Sequence, residues 1–131
     1  MICSYLKTKQ MGENAMKSLA ESSLNTSPLK DELKAIAHEI TTLLPGADVI
    51  LFGSYARGEQ RKWSDLDLCV VADEYPMRLI DMMHTLRQAI YTKTELPLDL
   101  LLFHRQRFTE HSTWKPTIEY TIAKEGVRLN G

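Results

Sequence analysis

An alternating stretch at residues 65–72, DLDLCVVA, constrains the fold more than any other part of the chain. Strict alternation of aspartate and leucine is the pattern of a β-strand that buries one face. Asp65 and Asp67 therefore lie on one face of this strand, and Leu66 and Leu68 lie on the other. The leucine face needs a covering of other elements, whereas two like charges on one face need a cation or a proton between them.

Two further apolar runs, at 47–52 and 98–103, are short and bounded by turn-forming residues. Runs of this length and composition predict buried strands. The second run is apolar except for Asp99, and a buried strand does not carry a carboxylate without a partner. Asp99 would join Asp65 and Asp67 if its strand lies beside theirs.

Apolar residues recur at the spacing of an amphipathic helix in the regions 29–44, 79–90 and 116–126. A proline lies at or just before the start of each region, and proline is favoured in the first turn of a helix. Together with the strands, this order of elements predicts an α/β (α+β) fold with a small mixed β-sheet flanked by helices.

A length of 131 residues, 44% of them hydrophobic and 25% charged, is typical of one globular domain. Residues 1–26 are polar and lack periodicity, so we interpret them as a mobile N-terminal extension or one short helix before a domain at 27–131. No apolar run approaches the roughly 20 residues that cross a bilayer, which argues against a membrane protein.

Charge and cysteine content exclude several other classes of protein. A net charge of -1 lacks the basic excess of proteins that bind many nucleic-acid phosphates, so direct nucleic-acid binding is not expected. The only cysteines are Cys3 and Cys69, and Cys69 lies in an apolar run, which argues against a disulfide framework and favours the cytoplasm. The four histidines are far apart and show no zinc-binding pattern.

The loop at residues 53–58, GSYARG, directly follows a predicted strand and is a candidate phosphate-binding turn. Glycine permits unusual backbone angles and close approach of N–H groups to an anion. Gly53, Ser54 and Arg57 are the predicted nucleotide-binding residues, although an arginine in a surface turn is equally often solvated or ion-paired. A Gly-Ser turn is common, so it indicates a phosphate site only together with the aspartates.

Asp65, Asp67 and Asp99 offer the hard oxygen ligands that Mg²⁺ prefers in combination with substrate phosphates. These three aspartates are therefore the predicted metal-binding and catalytic residues, with two Mg²⁺ ions expected. Asp99 is the candidate general base, because an apolar strand would raise its pKa. The chemistry of such a site is attack of a hydroxyl on an α-phosphorus, with departure of pyrophosphate.

Ten residues separate Ser54 from Asp65, and this arrangement resembles the GSx10DxD signature of the polymerase beta-like nucleotidyltransferase superfamily. The segments GSYARG and SDLDL are also typical of that family, and the strand with Asp99 matches its third carboxylate. The closing IAKEGV resembles the end of stand-alone minimal members. The resemblance runs from about residue 28 to 129 and is most specific over 50–70.

Minimal nucleotidyltransferases of this group are similar in length to this chain and are often the antitoxin of a two-component module. The partner in such a module is a HEPN ribonuclease toxin. The resemblance implies transfer of AMP from ATP to a tyrosine hydroxyl of that toxin, with Mg²⁺ as cofactor. It also implies a hetero-oligomer of the protein with its toxin.

Two other functions remain open. A non-catalytic antitoxin would neutralise the toxin by binding alone and would keep this function without Asp65 and Asp67. A nucleotidyltransferase that acts on a small molecule is disfavoured, because 131 residues leave little room for an acceptor-binding domain. A homodimer would nevertheless form such a pocket between its subunits.

Two aromatic residues flank the candidate site in sequence. Tyr55 follows the Gly-Ser turn, where an aromatic side chain more often packs against the sheet than stacks on a base. Trp63 precedes the aspartates. Its side chain is interpreted either as a cap over the site, as a contact to the acceptor or partner protein, or as the edge of the core.

Overall fold

The computed structural model describes residues 16–130, in which helices alternate with the strands of one mixed sheet. The strands are β1 (Lys17–Ser18), β2 (Asp48–Phe52), β3 (Leu66–Ala72), β4 (Leu98–His104) and β5 (Val127–Arg128). The α-helices are α1 (Lys30–Leu43), α2 (Gly53–Arg57), α3 (Leu79–Ile90), α4 (Arg105–His111) and α5 (Ile118–Glu125), and two 3-10 helices, Leu19–Glu21 and Ser23–Thr26, precede α1. The predicted α/β (α+β) fold with a small mixed sheet is confirmed. Over the described range, no helix is both long and apolar enough to cross a membrane.

The strands lie in the order β1-β5-β2-β3-β4 across the described sheet. Strand β2 is antiparallel to both β3 and β5, whereas β3 and β4 are parallel and are connected through α3. A parallel pair requires such a crossover connection. The register pairs Asp67 of β3 with Asp99 of β4, so the predicted adjacency of their two strands is confirmed.

Helices α1 and α3 cover the leucine face of β3. Leu66 and Leu68 are fully buried on this face, as the alternation predicted. Buried residues of both helices belong to the same core, namely Leu33, Ile36 and Ile40 of α1 and Met82, Leu86 and Ile90 of α3. Their spacing of three or four residues directs one stripe of each helix toward the sheet.

Helices α4 and α5 contribute to a second core on the opposite face of the sheet. Cys69 of β3 packs there in one cluster with Phe108 of α4 and Ile122 of α5. Cys69 is completely buried, in agreement with its position in an apolar run of the sequence. The covering is incomplete at the start of β3 and β4, where Asp67 is half-buried and Asp99 is exposed.

Two segments differ from the predicted elements. Residues 1–15 of the predicted N-terminal extension lie outside the described residues, but the chain before residue 27 already contributes β1 and two core leucines, Leu19 and Leu24. Helix α4 has no counterpart among the predicted elements, because its seven residues bury only Phe108. Single buried residues in polar stretches create no periodicity, so a pattern search does not detect them.

Candidate active site

The three predicted aspartates lie together at one end of the sheet, where they form what we call the acidic cluster: Asp65, Asp67 and Asp99. Asp67 is the second residue of β3, and Asp99 is its partner across the β3–β4 pair. Asp65 immediately precedes β3, and an interval of two residues places it on the same side of the strand as Asp67. Asp65 and Asp99 are exposed, so the acidic cluster opens to solvent.

Electrostatic repulsion in the acidic cluster acts on Asp67. Burial of its carboxyl group, followed by the negative charges of Asp99 and Asp65, raises the pKa of Asp67 to about 6. The positive charge of Arg57 opposes this rise, and a hydrogen bond with Asp99 adds to it. Full ionisation of the acidic cluster is therefore unfavourable unless a cation compensates for it.

Asp99 differs from its predicted environment. The apolar composition of its strand predicted a buried carboxyl group with a raised pKa, and this prediction was wrong about burial, because Asp99 is exposed. Strand β4 forms an edge of the sheet, and its buried residues Leu98 and Leu100 point to the opposite face. The more buried carboxyl group is that of Asp67, which lies between β2 and β4.

Gly53 at the start of α2 packs directly against the acidic cluster. Its φ angle of +77° lies in the left-handed region that favours glycine. A Cβ atom built on Gly53 would overlap the Asp67 carboxylate and would lie 2.9 Å from the Asp67 Cγ. Glycine is thus required at this position for two reasons, its backbone conformation and its contact with Asp67.

The backbone N–H of Gly53 donates a hydrogen bond to Glu125 Oε2 at 2.8 Å. The same oxygen accepts a second bond from Arg57 Nη1 at 3.0 Å, while Arg57 Nε donates to Glu59 Oε1 at 2.8 Å. Arg57 is therefore ion-paired in this structure, and its predicted contact to a triphosphate stays a prediction. Ser54 is half-buried, and its carbonyl oxygen accepts a hydrogen bond from the Glu59 N–H.

Sequence patterns did not identify Glu125 as a site residue. Glu125 lies at the end of α5, 72 positions away from Gly53 along the chain, so only the tertiary structure brings the two together. The one available signal was the closing IAKEGV segment, which resembles the end of minimal nucleotidyltransferases but does not by itself give Glu125 a role.

The donor set of the acidic cluster fits a hard divalent cation. Carboxylate oxygens are the preferred ligands of Mg²⁺. Burial, followed by the negative charges of Asp99 and Asp65, raises the pKa of Asp67, and a bound cation would offset both effects. Among residues 16–130, no three His, Cys, Asp or Glu side chains are already arranged to hold an ion. This arrangement is compatible with Mg²⁺, which usually binds through one or two carboxylates together with substrate phosphates and water.

The two aromatic residues that flank the site in sequence have different environments. Tyr55 on α2 is buried in the main core, so the prediction that it packs against the sheet is confirmed. Trp63 is 82% exposed, which excludes the core interpretation. A cap over the site and a contact to the acceptor or partner protein stay as its predicted roles. Lys62 Nζ lies 5.2 Å from the centre of the Trp63 ring, a geometry typical of a cation–π contact.

The fold and the acidic cluster define a nucleotidyltransferase domain, and comparison with known families agrees. The family described as nucleotidyltransferase domain matches residues 33–127, which is more than half of the chain. The chain belongs to this family, so the prediction of a nucleotidyltransferase is confirmed at the level of the family.

A relative from Methanocaldococcus jannaschii, named "Putative protein adenylyltransferase MJ1305", is 50% identical to this chain over 42 residues. The match covers 32% of this chain and 29% of the relative, so the chain matches less than a third of that protein's length. A solved structure titled as a toxin-antitoxin with AMP-PNP is similar with a TM-score of 0.57 and 24% identity, over 77% of this chain and 73% of that chain. The second likeness supports the fold.

Proposed function

We propose that this protein is a cytoplasmic, Mg²⁺-dependent adenylyltransferase that transfers AMP from ATP to a tyrosine hydroxyl of a partner HEPN ribonuclease toxin and so acts as its antitoxin. The observation that carries this proposal is the pairing of Asp67 with Asp99 on parallel strands, next to the turn at Gly53. This pairing concentrates carboxylates beside a glycine turn that lies in contact with Asp67. A site for a metal-bound triphosphate needs these two features together.

Different residues of the site bind the metal, bind the phosphates and accept the proton. Asp65, Asp67 and Asp99 would hold Mg²⁺, which when bound neutralises charge on the triphosphate and orients it for in-line attack. Ser54 and the backbone of its turn bind the phosphates. Asp99 is exposed beside Asp67 and accepts the proton of the attacking hydroxyl. A bond forms between this oxygen and the α-phosphorus, the bond from the α-phosphorus to the bridging oxygen breaks, and pyrophosphate leaves.

Support for ATP and for a protein acceptor comes from the proteins that are similar to this chain. The relative's name describes transfer of an adenylyl group to protein, and the similar solved structure is titled as a toxin-antitoxin with AMP-PNP. The resemblance to stand-alone minimal nucleotidyltransferases implies a HEPN toxin as the partner. Trp63 is exposed and lies two residues before Asp65 in the sequence, and it offers a surface for contact with a protein acceptor.

Intact-mass spectrometry of the toxin tests the proposal. The wild-type protein, ATP, Mg²⁺ and the toxin encoded by the neighbouring gene are incubated together, and the toxin should gain the mass of AMP on a tyrosine. Omission of Mg²⁺, or Asp67→Asn, should abolish the gain, because each removes part of the metal site. Asp81→Asn is a matched control, since Asp81 on α3 forms an exposed pair with Arg78, and α3 covers the leucine face of β3, opposite to Asp67.

The same experiment distinguishes the alternatives. A toxin whose mass is unchanged by the wild-type protein under these conditions would refute protein adenylylation. A combined Asp65→Asn and Asp67→Asn variant should bind the toxin without neutralising its ribonuclease activity. Full neutralisation by this variant would indicate an antitoxin that acts by binding alone.

A further inference from the structure

Glu125 joins the end of α5 to the turn beside the acidic cluster. One of its oxygens, Oε2, accepts hydrogen bonds from the Gly53 N–H at 2.8 Å and from Arg57 Nη1 at 3.0 Å. Its side chain is only 20% exposed, compared with 66% for Glu59, the other carboxylate that pairs with Arg57. A partly buried carboxylate that accepts from a backbone N–H and a guanidinium forms strong, directional bonds.

The backbone of α5 is fixed at the point from which Glu125 extends. Gly126 follows Glu125, and a Cβ atom built on Gly126 would lie 2.6 Å from Ile50 Cγ2 on β2. The end of α5 therefore packs closely against the strand that leads into the turn. This close packing fixes the backbone position from which the Glu125 side chain reaches Gly53.

Gly53 is thus held between two carboxylates from different elements. Glu125 of α5 binds its N–H group, and Asp67 of β3 contacts its Cα side, where no larger residue would fit. A displacement of Gly53 would consequently change its contact with Asp67 as well as the position of Ser54. Glu125 is linked to the acidic cluster through Gly53, without belonging to it.

We propose that Glu125 is a positioning residue for nucleotidyl transfer: it holds the turn at Gly53 in place against Asp67 and restrains Arg57 at the edge of the site. This inference rests on the proposed function. In this arrangement the N–H group of Gly53 already binds Glu125, so the role of Gly53 is to give the turn its backbone conformation. The phosphates are bound by the donors that follow Gly53 in the turn.

Four variants test this role. Three of them change the length or the acceptor group of the side chain at position 125, and the fourth is a control at Glu59. Glu125→Ala removes the acceptor, and Glu125→Asp keeps the charge but is one methylene group too short for the 2.8 Å bond to Gly53. Glu125→Gln keeps a carbonyl oxygen at the same distance, which accepts both bonds. Glu59→Ala is the matched control, because Glu59 also pairs with Arg57 while Gly53 retains its bond to Glu125.

The first measurement is steady-state adenylylation of the toxin with varied ATP. Glu125→Ala and Glu125→Asp should raise the KM for ATP by about tenfold or more, the effect of one lost charge-assisted hydrogen bond, with a smaller change in kcat. Glu125→Gln should stay within about threefold of wild type and Glu59→Ala within about twofold. An unchanged KM in Glu125→Ala and Glu125→Asp overturns the proposal, and so does a lowered KM, which would show that Glu125 occupies a phosphate position and is displaced by ATP.

The second measurement needs no activity. Hydrogen exchange of the Gly53 amide, followed by NMR, should be slow in the wild type and in Glu125→Gln and clearly faster in Glu125→Asp. Equal protection in all variants overturns the positioning role. If the wild-type protein transfers no AMP, the proposed function fails. The exchange rate of the Gly53 amide still shows whether Glu125 holds the turn. If Glu125→Ala does not fold, Glu125→Asp and Glu125→Gln provide the comparison.

Discussion

Replacement of Gly53 by alanine should destabilise the protein more than the same replacement at other glycines with similar backbone angles. Gly53 has φ +77°, and its added Cβ would overlap the Asp67 carboxylate. A left-handed conformation costs a residue with a side chain about 1–2 kcal/mol. Relief of the overlap costs a further ~1–3 kcal/mol, since the Asp67 side chain or the turn must move. Alanine also makes the unfolded chain less flexible than glycine does, and this lower entropy of the unfolded state offsets about 0.4–1 kcal/mol of the cost.

Gly58 and Gly46 provide the controls for the Gly53→Ala prediction. They have φ +72° and φ +86°, and an added Cβ would meet nothing within 4 Å at either position. Gly58→Ala and Gly46→Ala therefore carry only the cost of backbone strain, about 1 kcal/mol. The expected excess for Gly53→Ala is about 1–3 kcal/mol, and this excess isolates the contact with Asp67.

Urea unfolding of the three alanine variants measures this excess. Free energies of unfolding come from linear extrapolation, and a common m-value confirms that the same transition is compared. In an Asp67→Ala background, most of the excess should disappear, because the overlapping carboxylate is absent. The reasoning is refuted if Gly53→Ala and Gly58→Ala have equal unfolding free energies, or if the excess persists without the Asp67 carboxylate.

Two further predictions concern charge. Asp67 has its pKa raised from 3.8 to about 6, so the native state binds more protons than the unfolded state between these values, and stability falls as pH rises through this window. The free energy of unfolding of Asp67→Asn, relative to that of the wild type, should therefore rise by about 1 kcal/mol between pH 4 and pH 7, after a discount for the exposure of Asp67. Urea unfolding measures this, and a difference in unfolding free energy that does not change with pH would contradict the prediction. Arg105 pairs with Asp48, and its side chain is 35% exposed. Arg105→Ala should lower the free energy of unfolding by about 1–3 kcal/mol, as measured by urea unfolding. Arg78→Ala, which breaks an exposed pair with Asp81, should lower the free energy of unfolding by less than about 0.5 kcal/mol. Equal losses of stability in Arg78→Ala and Arg105→Ala would contradict the prediction that the Arg105 pair is the stronger one.

Sequence patterns were sufficient for those parts of the site that depend on local periodicity. The alternation around Asp65 and Asp67 predicted their common face, and the structure places the intervening Leu66 in the core. Helix spacing likewise predicted the stripes of α1 and α3 that cover the sheet. These predictions succeed because the direction of a side chain in a strand or helix follows from its position in the repeat.

Properties that depend on the position of a strand in the sheet were harder to predict. Asp99 lies in an apolar sequence, yet it is exposed because β4 is an edge strand and this end of it is not covered on the Asp99 face. Composition alone does not distinguish an edge strand from a central one when both contain leucine-rich runs. The burial predicted for Asp99 applies in part to Asp67, one strand further into the sheet.

The site thus depends on two structural relationships of different origin. The register of β3 and β4 brings Asp67 and Asp99 together, and a one-residue change in that register would move the buried Leu98 and Leu100 to the opposite face of the sheet. The turn at Gly53 is instead held by one side chain, Glu125, from the far end of the chain. Variants of Glu125 should therefore move the turn while the β3–β4 register stays intact, which makes nucleotide affinity separable from the stability of the sheet.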